Sequence, residues 1–304
     1  MISRAVIDAL QSFIPEENIH LQEPMDKHTT FRVGGPADCL VELENVEELK
    51  KVQHYLRLIE EPFFVLGNGS NLLVGDQGYR GVVLQIGPKM SSIKVDGSTI
   101  TAQAGASLAG VARAAMEHGL TGLEFASGIP GTIGGGVVMN AGAYGGEMKQ
   151  VVHSVTVLDK DSNELELDNE TMEFGYRTSV IKNHPFLVTE ITLKLEPGNP
   201  EEIRAKMEDL TSKRRAKQPL EFGSAGSTFK RPEGYFAGEL IMNSGMRGYQ
   251  VGGARVSDKH CGFVINTGSA CAADVLDVIR EVQRAVKEKF GVDLETEVVM
   301  LGEF

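Results

Sequence analysis

The chain has 304 residues, 41% of them hydrophobic and 24% charged, which is the composition of a globular protein with two or three domains. Its formal net charge of −12 excludes a general nucleic-acid binder, because such a surface cannot neutralise a phosphate backbone. No stretch approaches the roughly 20 apolar residues that a membrane span requires, so no membrane partner is expected.

The cysteines favour a reducing compartment. Cys39, Cys261 and Cys271 are odd in number and lack the spacing of metal ligands, so we expect neither a disulfide framework nor a metal site. The first residues continue into a polar stretch without an apolar leader core. We therefore expect a cytoplasmic protein.

The first part of the chain predicts a β-α-β order. Asn45 followed by Glu47 and Glu48 is typical of a capped helix start. In chain order we predict a helix at 3–13, a strand at 40–43, a helix at 45–59, and strands at 62–66, 72–74 and 81–86. These elements predict a first domain over residues 1–87.

The pattern changes after residue 87. Asp96-Gly97 is a hairpin turn signal, and Ser107 and Gly119 bound a helical segment. We predict a hairpin at 93–102, a helix at 107–118, a second hairpin from 151–159 and 164–167, a strand at 186–195, helices at 201–216 and 271–289, and a strand at 297–301. The Pro-Gly-Asn-Pro segment at 197–200 predicts a boundary between domains over residues 88–198 and 199–304.

Residues 128–146 are unusually rich in glycine, with eight glycines in nineteen positions. Glycine lets the backbone approach another group closely and adopt a positive φ, and successive bare N–H groups suit a diphosphate or a flat ring. A flexible linker is the alternative interpretation, but linkers are polar. Ile129, Ile133 and Val137 favour burial, so the run is interpreted as a ligand-binding segment.

A second glycine-rich loop, Gly-Asn-Gly-Ser-Asn at 67–71, directly follows a predicted buried strand. It matches neither the dinucleotide-binding pattern G-x-G-x-x-G nor the P-loop pattern, and Asn-Gly is also a common turn. Two separate glycine-rich loops suit a long ligand that carries a diphosphate and a flat ring system.

Three further runs leave their function open when each is considered alone. Arg177 lies in Phe-Gly-Tyr-Arg-Thr-Ser, Ser227 in Ala-Gly-Ser-Thr-Phe-Lys and Glu297 in Glu-Thr-Glu-Val-Val. Each residue could serve in catalysis. Equally, Arg177 could be an exposed surface residue, Ser227 the start of a strand, and Glu297 a solvated strand end.

Together, these runs resemble the UDP-N-acetylenolpyruvoylglucosamine reductase family. Thr-Thr-Phe-Arg-Val-Gly-Gly-Pro-Ala at 29–37 and Gly-Tyr-Gln-Val-Gly-Gly-Ala at 248–254 support the resemblance, which extends over about residues 28–301. It implies an α+β fold, made of an FAD-binding fold of the vanillyl-alcohol-oxidase and p-cresol methylhydroxylase type plus a smaller C-terminal α/β substrate domain.

The resemblance also implies an activity, that of an FAD- and NADPH-dependent oxidoreductase, UDP-N-acetylmuramate dehydrogenase. The substrate would be UDP-N-acetylglucosamine enolpyruvate, and the step would belong to peptidoglycan precursor synthesis, hence to cell-wall biogenesis, cell shape and cell division. FAD N5 would deliver a hydride to the double bond, and Ser227 would deliver the proton.

Site residues are carried over onto matching positions of this sequence. The implied catalytic residues are Arg177, Ser227 and Glu297. The implied FAD contacts are Gly67, Asn68, Gly69, Ser70, Asn71, Gly128, Ile129, Gly131, Thr132, Ile133, Gly134, Gly135, Asn140, Ala141 and Gly142. The implied substrate contacts are Tyr144, Arg214, Lys217 and Lys230.

The sequence departs from the family pattern in two ways. Arg231 stands where some members carry a substrate-contacting Asn, and too few residues follow Arg177 for the tyrosine-bearing flap of one branch, so the chain resembles the shorter branch. Neither glycine-rich segment offers a His or Cys for covalent attachment, so FAD is expected to be non-covalent.

Two alternatives to the reductase function are another FAD oxidoreductase of the same fold, such as an oxidase of small alcohols, and a non-catalytic nucleotide-binding module.

Overall fold

The computed structural model describes residues 2–304. Its α-helices are α1 (Arg4–Phe13), α2 (Val46–Leu58), α3 (Leu108–Glu117), α4 (Ile133–Val138), α5 (Pro200–Lys217), α6 (Ala237–Asn243) and α7 (Ala272–Phe290). Its strands are β1 (Ile19–Pro24), β2 (Pro36–Glu42), β3 (Phe63–Leu66), β4 (Leu72–Val74), β5 (Tyr79–Gln85), β6 (Ile93–Asp96), β7 (Thr99–Gln103), β8 (Leu120–Thr121), β9 (Gly142–Ala143), β10 (Gly146–Glu147), β11 (Val152–Leu158), β12 (Glu164–Asp168), β13 (Leu187–Lys194), β14 (Glu196–Pro197), β15 (Gln250–Val251), β16 (Ala254–Val256), β17 (Val264–Asn266) and β18 (Val299–Leu301). Within residues 2–304, none of the helices combines the length and the apolar character that crossing a bilayer demands.

The first of two compact units comprises residues 2–20, 39–68 and 81–214. Its largest sheet has the order β12–β11–β13–β7–β6, with every neighbouring pair antiparallel. The side chains of β13 alternate because one face of this strand packs into a core: Ile191 and Leu193 are fully buried and Lys194 is exposed. Helix α3 contributes Leu108 and Val111 to the same core.

A four-stranded sheet has the order β1–β2–β5–β3. Strand β3 lies at its edge and runs parallel to β5, with Phe63 opposite Val82. The loop at 67–71 begins where β3 ends, because Leu66 is the last residue of that strand. The parallel pair thus places a glycine-rich loop at the carboxyl end of a strand, where ligand loops of α/β units are found.

The second compact unit comprises residues 21–38, 69–80 and 215–304. It has its own core, in which the apolar face of α7, including Val275, Ile279 and Val282, is buried. Its strands form the antiparallel sheet β15–β16–β17 and the parallel pair β18–β4, in which Val299 lies opposite Leu72. This unit is therefore assembled from three separate segments of the chain.

Most predicted elements are confirmed within two or three residues at their ends. Asn45 caps α2 by accepting a hydrogen bond from the Glu48 amide, and Ser107 caps α3 by accepting one from the Gly110 amide. Gly97 has a φ of 55° in the turn between β6 and β7, as its turn signal predicts. The division into domains at residues 87 and 198 stays a prediction.

The glycine-rich run differs from its prediction as a loop, because α4 begins inside it. Gly134 and Gly136 are buried, and a Cβ on them would lie 2.8 Å from Ala104 Cβ and 3.1 Å from Leu108 Cδ1. These glycines therefore allow a close helix contact that larger residues would prevent. Tertiary packing outweighs the low helix propensity of glycine here.

Candidate active site

The loop at 67–71 has backbone donors that the protein itself does not use. Among the described residues 2–304, no acceptor receives a hydrogen bond from the five amides of this loop, although Gly69 is buried. Buried backbone donors without acceptors are costly, so an anionic ligand that accepts several of them is favoured. The FAD diphosphate fits this donor set.

Within the first unit, Gly67 and Asn68, the start of the first glycine-rich loop, contact the glycine-rich run. The Asn68 side-chain amide donates to the Pro130 carbonyl over 3.3 Å, and a Cβ on Gly67 would lie 2.5 Å from Thr132 Oγ1. Thr132 in turn caps α4 by accepting from the Gly135 amide over 3.2 Å. Gly67 and Asn68 therefore contact the glycine-rich run, and a single ligand site shared by both segments stays a prediction.

Gly135 differs from the glycines around it, because the space beside it is not filled by other atoms of residues 2–304. It is exposed on α4, and a Cβ there would meet only Thr132 Oγ1, at 3.4 Å, among the described residues. At Gly134, by contrast, Ala104 already occupies the space that a Cβ would need. The two neighbouring glycines therefore have different surroundings, since Gly134 packs against Ala104 and Gly135 is open.

Asn140 connects the end of the glycine-rich run to the segment of Arg177. Its side-chain amide donates to the Gly175 carbonyl at 3.0 Å and to Glu147 at 3.1 Å, and its oxygen accepts from the Lys149 amide at 2.9 Å. These contacts bury Asn140 almost completely. Its side chain fixes the local backbone, and its predicted contact with the flavin stays a prediction.

Arg177 lies in the first unit beside the same hairpin. It has a φ of 56°, its guanidinium donates to the Gly142 carbonyl over 3.4 Å, and it lies 5.1 Å from the Tyr176 ring centroid. A non-glycine residue with positive φ is strained, and such strain is concentrated at functional sites. This arrangement holds a permanent positive charge at the end of the glycine-rich run.

Two predicted substrate residues, Tyr144 and Arg214, share one electrostatic environment. Burial lowers the pKa of the Arg214 guanidinium below its ordinary value, and the Tyr144 phenol partly opposes that shift. The Arg214 side chain also passes over Gly128, where a Cβ would lie 3.0 Å from its Cδ. Tyr144 itself is half exposed and adopts a φ of 54° in the turn between β9 and β10.

In the second unit, the segment that follows Ser227 pairs with the segment that ends at Glu297. The Glu297 amide donates to the Thr228 carbonyl at 2.9 Å, and the Lys230 amide donates to the Glu295 carbonyl at 2.8 Å, on either side of an antiparallel bridge from Phe229 to Thr296. The Asn71 side chain donates to the Glu297 carbonyl at 3.0 Å. Residues far apart in sequence are thus brought together, and both termini of this ladder carry predicted site residues.

His260 lies in the second unit on the loop between β16 and β17, and the sequence reasoning did not identify it. Burial lowers its pKa, the backbone partly opposes the shift, and nearby Lys217 lowers it further. Its Nδ1 accepts a hydrogen bond from the Gly262 amide over 3.1 Å, which requires an unprotonated Nδ1. The folded protein therefore favours neutral His260, close to a predicted substrate cation.

We expect His260→Gln to make the stability of the protein less sensitive to acid. As pH falls from about 7.5 to about 5.5, the unfolded chain protonates His260 near its ordinary pKa while the folded chain resists, so wild-type stability declines in this window. Glutamine cannot protonate and retains an acceptor for the Gly262 amide. Urea midpoints measured across this range test the expectation, with exposed His54→Gln as control. An unchanged pH dependence in His260→Gln would contradict it.

Glu124 is the second residue that sequence reasoning missed. It is 3% exposed and lies at the start of a 3₁₀ turn, Glu124–Gly128, that leads into the glycine-rich run. Thr121 and Glu124 have a T-x-x-E spacing, but this spacing alone does not indicate that Glu124 is buried.

Comparisons with known proteins agree with these features. Residues 37–168 match a family model described as an FAD binding domain, and residues 218–301 match one described as UDP-N-acetylenolpyruvoylglucosamine reductase, C-terminal domain. The chain is 51% identical over 302 residues to the UDP-N-acetylenolpyruvoylglucosamine reductase of Caldanaerobacter subterraneus subsp. tengcongensis, covering 99% of this chain and 100% of the relative.

Solved structures with a similar fold support the assignment of an FAD-binding fold. The crystal structure of UDP-N-acetylenolpyruvylglucosamine reductase from Thermus caldophilus superposes with a TM-score of 0.79 at 36% identity, covering 93% of this chain and 98% of the other. Alkyldihydroxyacetonephosphate synthase has a similar fold, with a TM-score of 0.50 at 15% identity over 65% of this chain and 44% of its own. The expected α+β fold, with an FAD-binding fold of the vanillyl-alcohol-oxidase type, is confirmed.

Proposed function

Since the chain belongs to the UDP-N-acetylenolpyruvoylglucosamine reductase family, we propose that it reduces UDP-N-acetylglucosamine enolpyruvate to UDP-N-acetylmuramate with NADPH as electron donor. It is an FAD-dependent oxidoreductase of peptidoglycan precursor synthesis. The observation that carries the detailed proposal is that Thr132 Oγ1 lies next to both Gly67, which begins the loop of unused amides, and Gly135, which is open on α4. That donor set fits a dinucleotide cofactor in a dissociable, non-covalent complex.

When bound and reduced by NADPH, the flavin would supply the hydride that reduces the enolpyruvyl double bond. Negative charge then develops on the substrate carboxylate, and fixed positive charge stabilises it most effectively when no reorganisation is needed. Arg177 suits this task because it carries a planar cation and its guanidinium is held beside the Gly142 carbonyl. In this proposal Glu297 shares the task by hydrogen bonding to the same carboxylate.

Ser227 is proposed to protonate the carbon next to the carboxylate. A serine hydroxyl is a weak acid in water, so it can donate only to a strongly basic, carbanion-like centre. Gly226, with a φ of 74°, turns the chain immediately before it, and Ser227 is exposed rather than packed into the core. Both features support a hydroxyl that can reach a substrate.

The substrate diphosphate is assigned to Arg214 and Lys217 at the end of α5, with Tyr144 and Lys230 as further substrate contacts. Partial burial of Arg214 strengthens its interaction with an anion, because the local dielectric is lower than in water. NADPH would reduce the flavin first and leave, after which the substrate would occupy the same cleft. We place this reaction in the cytoplasm, which the three free cysteines support.

We expect Arg214→Ala and Lys217→Ala to raise the KM for the enolpyruvyl substrate while kcat changes little. Contacts to a diphosphate are nearly equal in the ground state and the transition state, so their loss weakens binding rather than chemistry. An increase of about tenfold for each variant corresponds to the loss of one charge-assisted hydrogen bond. Steady-state kinetics with both ligands measure the effect, and normal saturation by both would contradict the assignment.

The decisive experiment is anaerobic reoxidation of the NADPH-reduced protein by UDP-N-acetylglucosamine enolpyruvate. Rapid return of the oxidised flavin spectrum with formation of UDP-N-acetylmuramate supports the proposal. An oxidase of the same fold would instead consume oxygen rapidly and ignore the enolpyruvyl compound. A colourless purified protein with no affinity for FAD would contradict both.

A further inference from the structure

Glu124 is a buried ionised group for which the proposed reaction has no use. Thr121 Oγ1 donates to its Oε1 over 2.6 Å, the Gly122 amide donates to its Oε2 over 3.0 Å, and Lys206 Nζ lies 3.5 Å from Oε2. Burial raises the pKa of Glu124, but these partners lower it to below the ordinary value of a glutamate. The carboxylate thus carries a negative charge that the surrounding chain has been arranged to stabilise.

Helix α5 meets the Glu124–Gly128 turn at both of its ends. Lys206 pairs with Glu124 at the start of the turn, and Arg214 lies over Gly128 at its end. Eight residues separate the two cations, which corresponds to about 12 Å along a helix. The segment that leads to the glycine-rich run is therefore in contact with the helix that carries a proposed substrate cation.

The N-terminal end of α5 packs near Thr121, just before the Glu124–Gly128 turn. Ile203 is buried, and a Cβ on Gly198 would lie 3.0 Å from Thr121 Cβ and 3.2 Å from Ile203 Cδ1. Thr121 is also the residue that donates to Glu124. The carboxylate, the turn and the helix therefore form one connected contact, in which the Glu124–Lys206 pair joins α5 to the turn.

We propose that Glu124 is a positioning residue that couples FAD binding to nucleotide binding by holding α5 against the Glu124–Gly128 turn. The proposal rests on the proposed function, because it uses the assignment of the glycine-rich run to FAD and of Arg214 to a diphosphate. A ligand on Arg214 stabilises α5 in this position, which in turn stabilises the turn ahead of the FAD cradle. Coupling between two sites is reciprocal, so each ligand strengthens the binding of the other.

The test uses Lys206→Met, because Lys206 is 59% exposed and its loss leaves the bonds from Thr121 and Gly122 to Glu124 in place. FAD is titrated onto the apoprotein with and without saturating uridine diphosphate, and the two Kd values are compared. For the wild type we expect uridine diphosphate to lower the Kd for FAD by about fivefold or more. Lys206→Met should lose most of that factor, and Lys206→Arg should retain it.

Lys50→Met is the matched control, because it removes a lysine from an ion pair with Glu47 and Glu164 in the same unit. It should keep the full coupling factor. Coupling that persists in Lys206→Met, or that disappears equally in Lys50→Met, would overturn the proposal. Glu124→Gln should lose coupling as well, and its melting temperature shows separately whether it folds.

Failure of the proposed function gives a different result. If the reduced wild-type protein is not reoxidised by the enolpyruvyl substrate, the reductase assignment is wrong. If that reaction proceeds but uridine diphosphate leaves the FAD Kd of the wild type unchanged, the coupling is wrong while the reductase assignment stands.

Discussion

Ser227→Ala is expected to leave reduction of the flavin by NADPH near the wild-type rate and to slow its reoxidation by the enolpyruvyl substrate severely. The variant removes the proposed proton donor but no group on which the first half of the cycle depends. General acid catalysis is worth about 10² to 10⁴ in rate, and a carbanion-like intermediate without a donor could make the loss larger. Stopped-flow absorbance of the flavin resolves the two halves separately.

Two companion variants sharpen this expectation. Ser227→Cys retains a donor of similar size and should recover part of the reoxidation rate, whereas Glu297→Gln should show the same asymmetry more mildly if Glu297 acts by hydrogen bonding. Ser244→Ala is the control, because its hydroxyl only donates to the Leu240 carbonyl in the second unit. Equal slowing of both halves in Ser227→Ala, or slowing of neither, would show that the proton comes from another group.

Gly135→Val is expected to abolish FAD binding while the protein remains folded. The position is exposed on α4, its Cβ would be 3.4 Å from Thr132 Oγ1, and valine has a higher helix propensity than glycine. The added side chain would therefore occupy the cofactor space and disturb little else. Absorbance of the purified protein and FAD titration measure the loss, and the melting temperature of the apoprotein measures folding.

Two other glycines show why Gly135 is the position that separates loss of FAD binding from loss of folding. Gly69 has a φ of 58° and its Cβ would lie 2.0 Å from the His28 carbonyl oxygen, so Gly69→Val would damage the fold as well as the cofactor loop. Gly87→Val is a suitable control, because the nearest atom to its Cβ is 3.6 Å away on the flexible Gln85 side chain. Normal FAD affinity in Gly135→Val would mean that the cofactor does not approach α4.

The sequence predicted the elements whose signals are local. Asn45 and Ser107 were recognised as caps, and the alternation of β13 was visible, because each depends on neighbours within a few residues. The two glycine-rich segments were also recognised as partners, since close backbone approach requires glycine wherever it occurs. A Cβ on Gly67 would contact Thr132, and a ligand shared by the two segments stays a prediction.

The features that the sequence did not predict depend on contacts between residues far apart in the chain. Helix α4 was missed because its glycines are poor helix formers, and only packing against Ala104 and Leu108 explains them. Glu124 gave no indication of its burial, since its partner Lys206 lies more than eighty residues away. Likewise, no local pattern indicates that the Glu297 amide pairs with the Thr228 carbonyl.

The three-segment construction of the second unit has a consequence for how the protein is made. Strand β4 is synthesised early, but its parallel neighbour β18 ends at Leu301. The β4 backbone therefore cannot form these hydrogen bonds until more than two hundred further residues have been added. At a translation rate of about 5 to 20 residues per second, that interval lasts roughly ten seconds or more on the ribosome. Segments 21–38 and 69–80 meanwhile expose Phe31 and Leu73, which are buried in the finished core. Nascent chains of this protein are therefore expected to need chaperone protection until their last strand emerges.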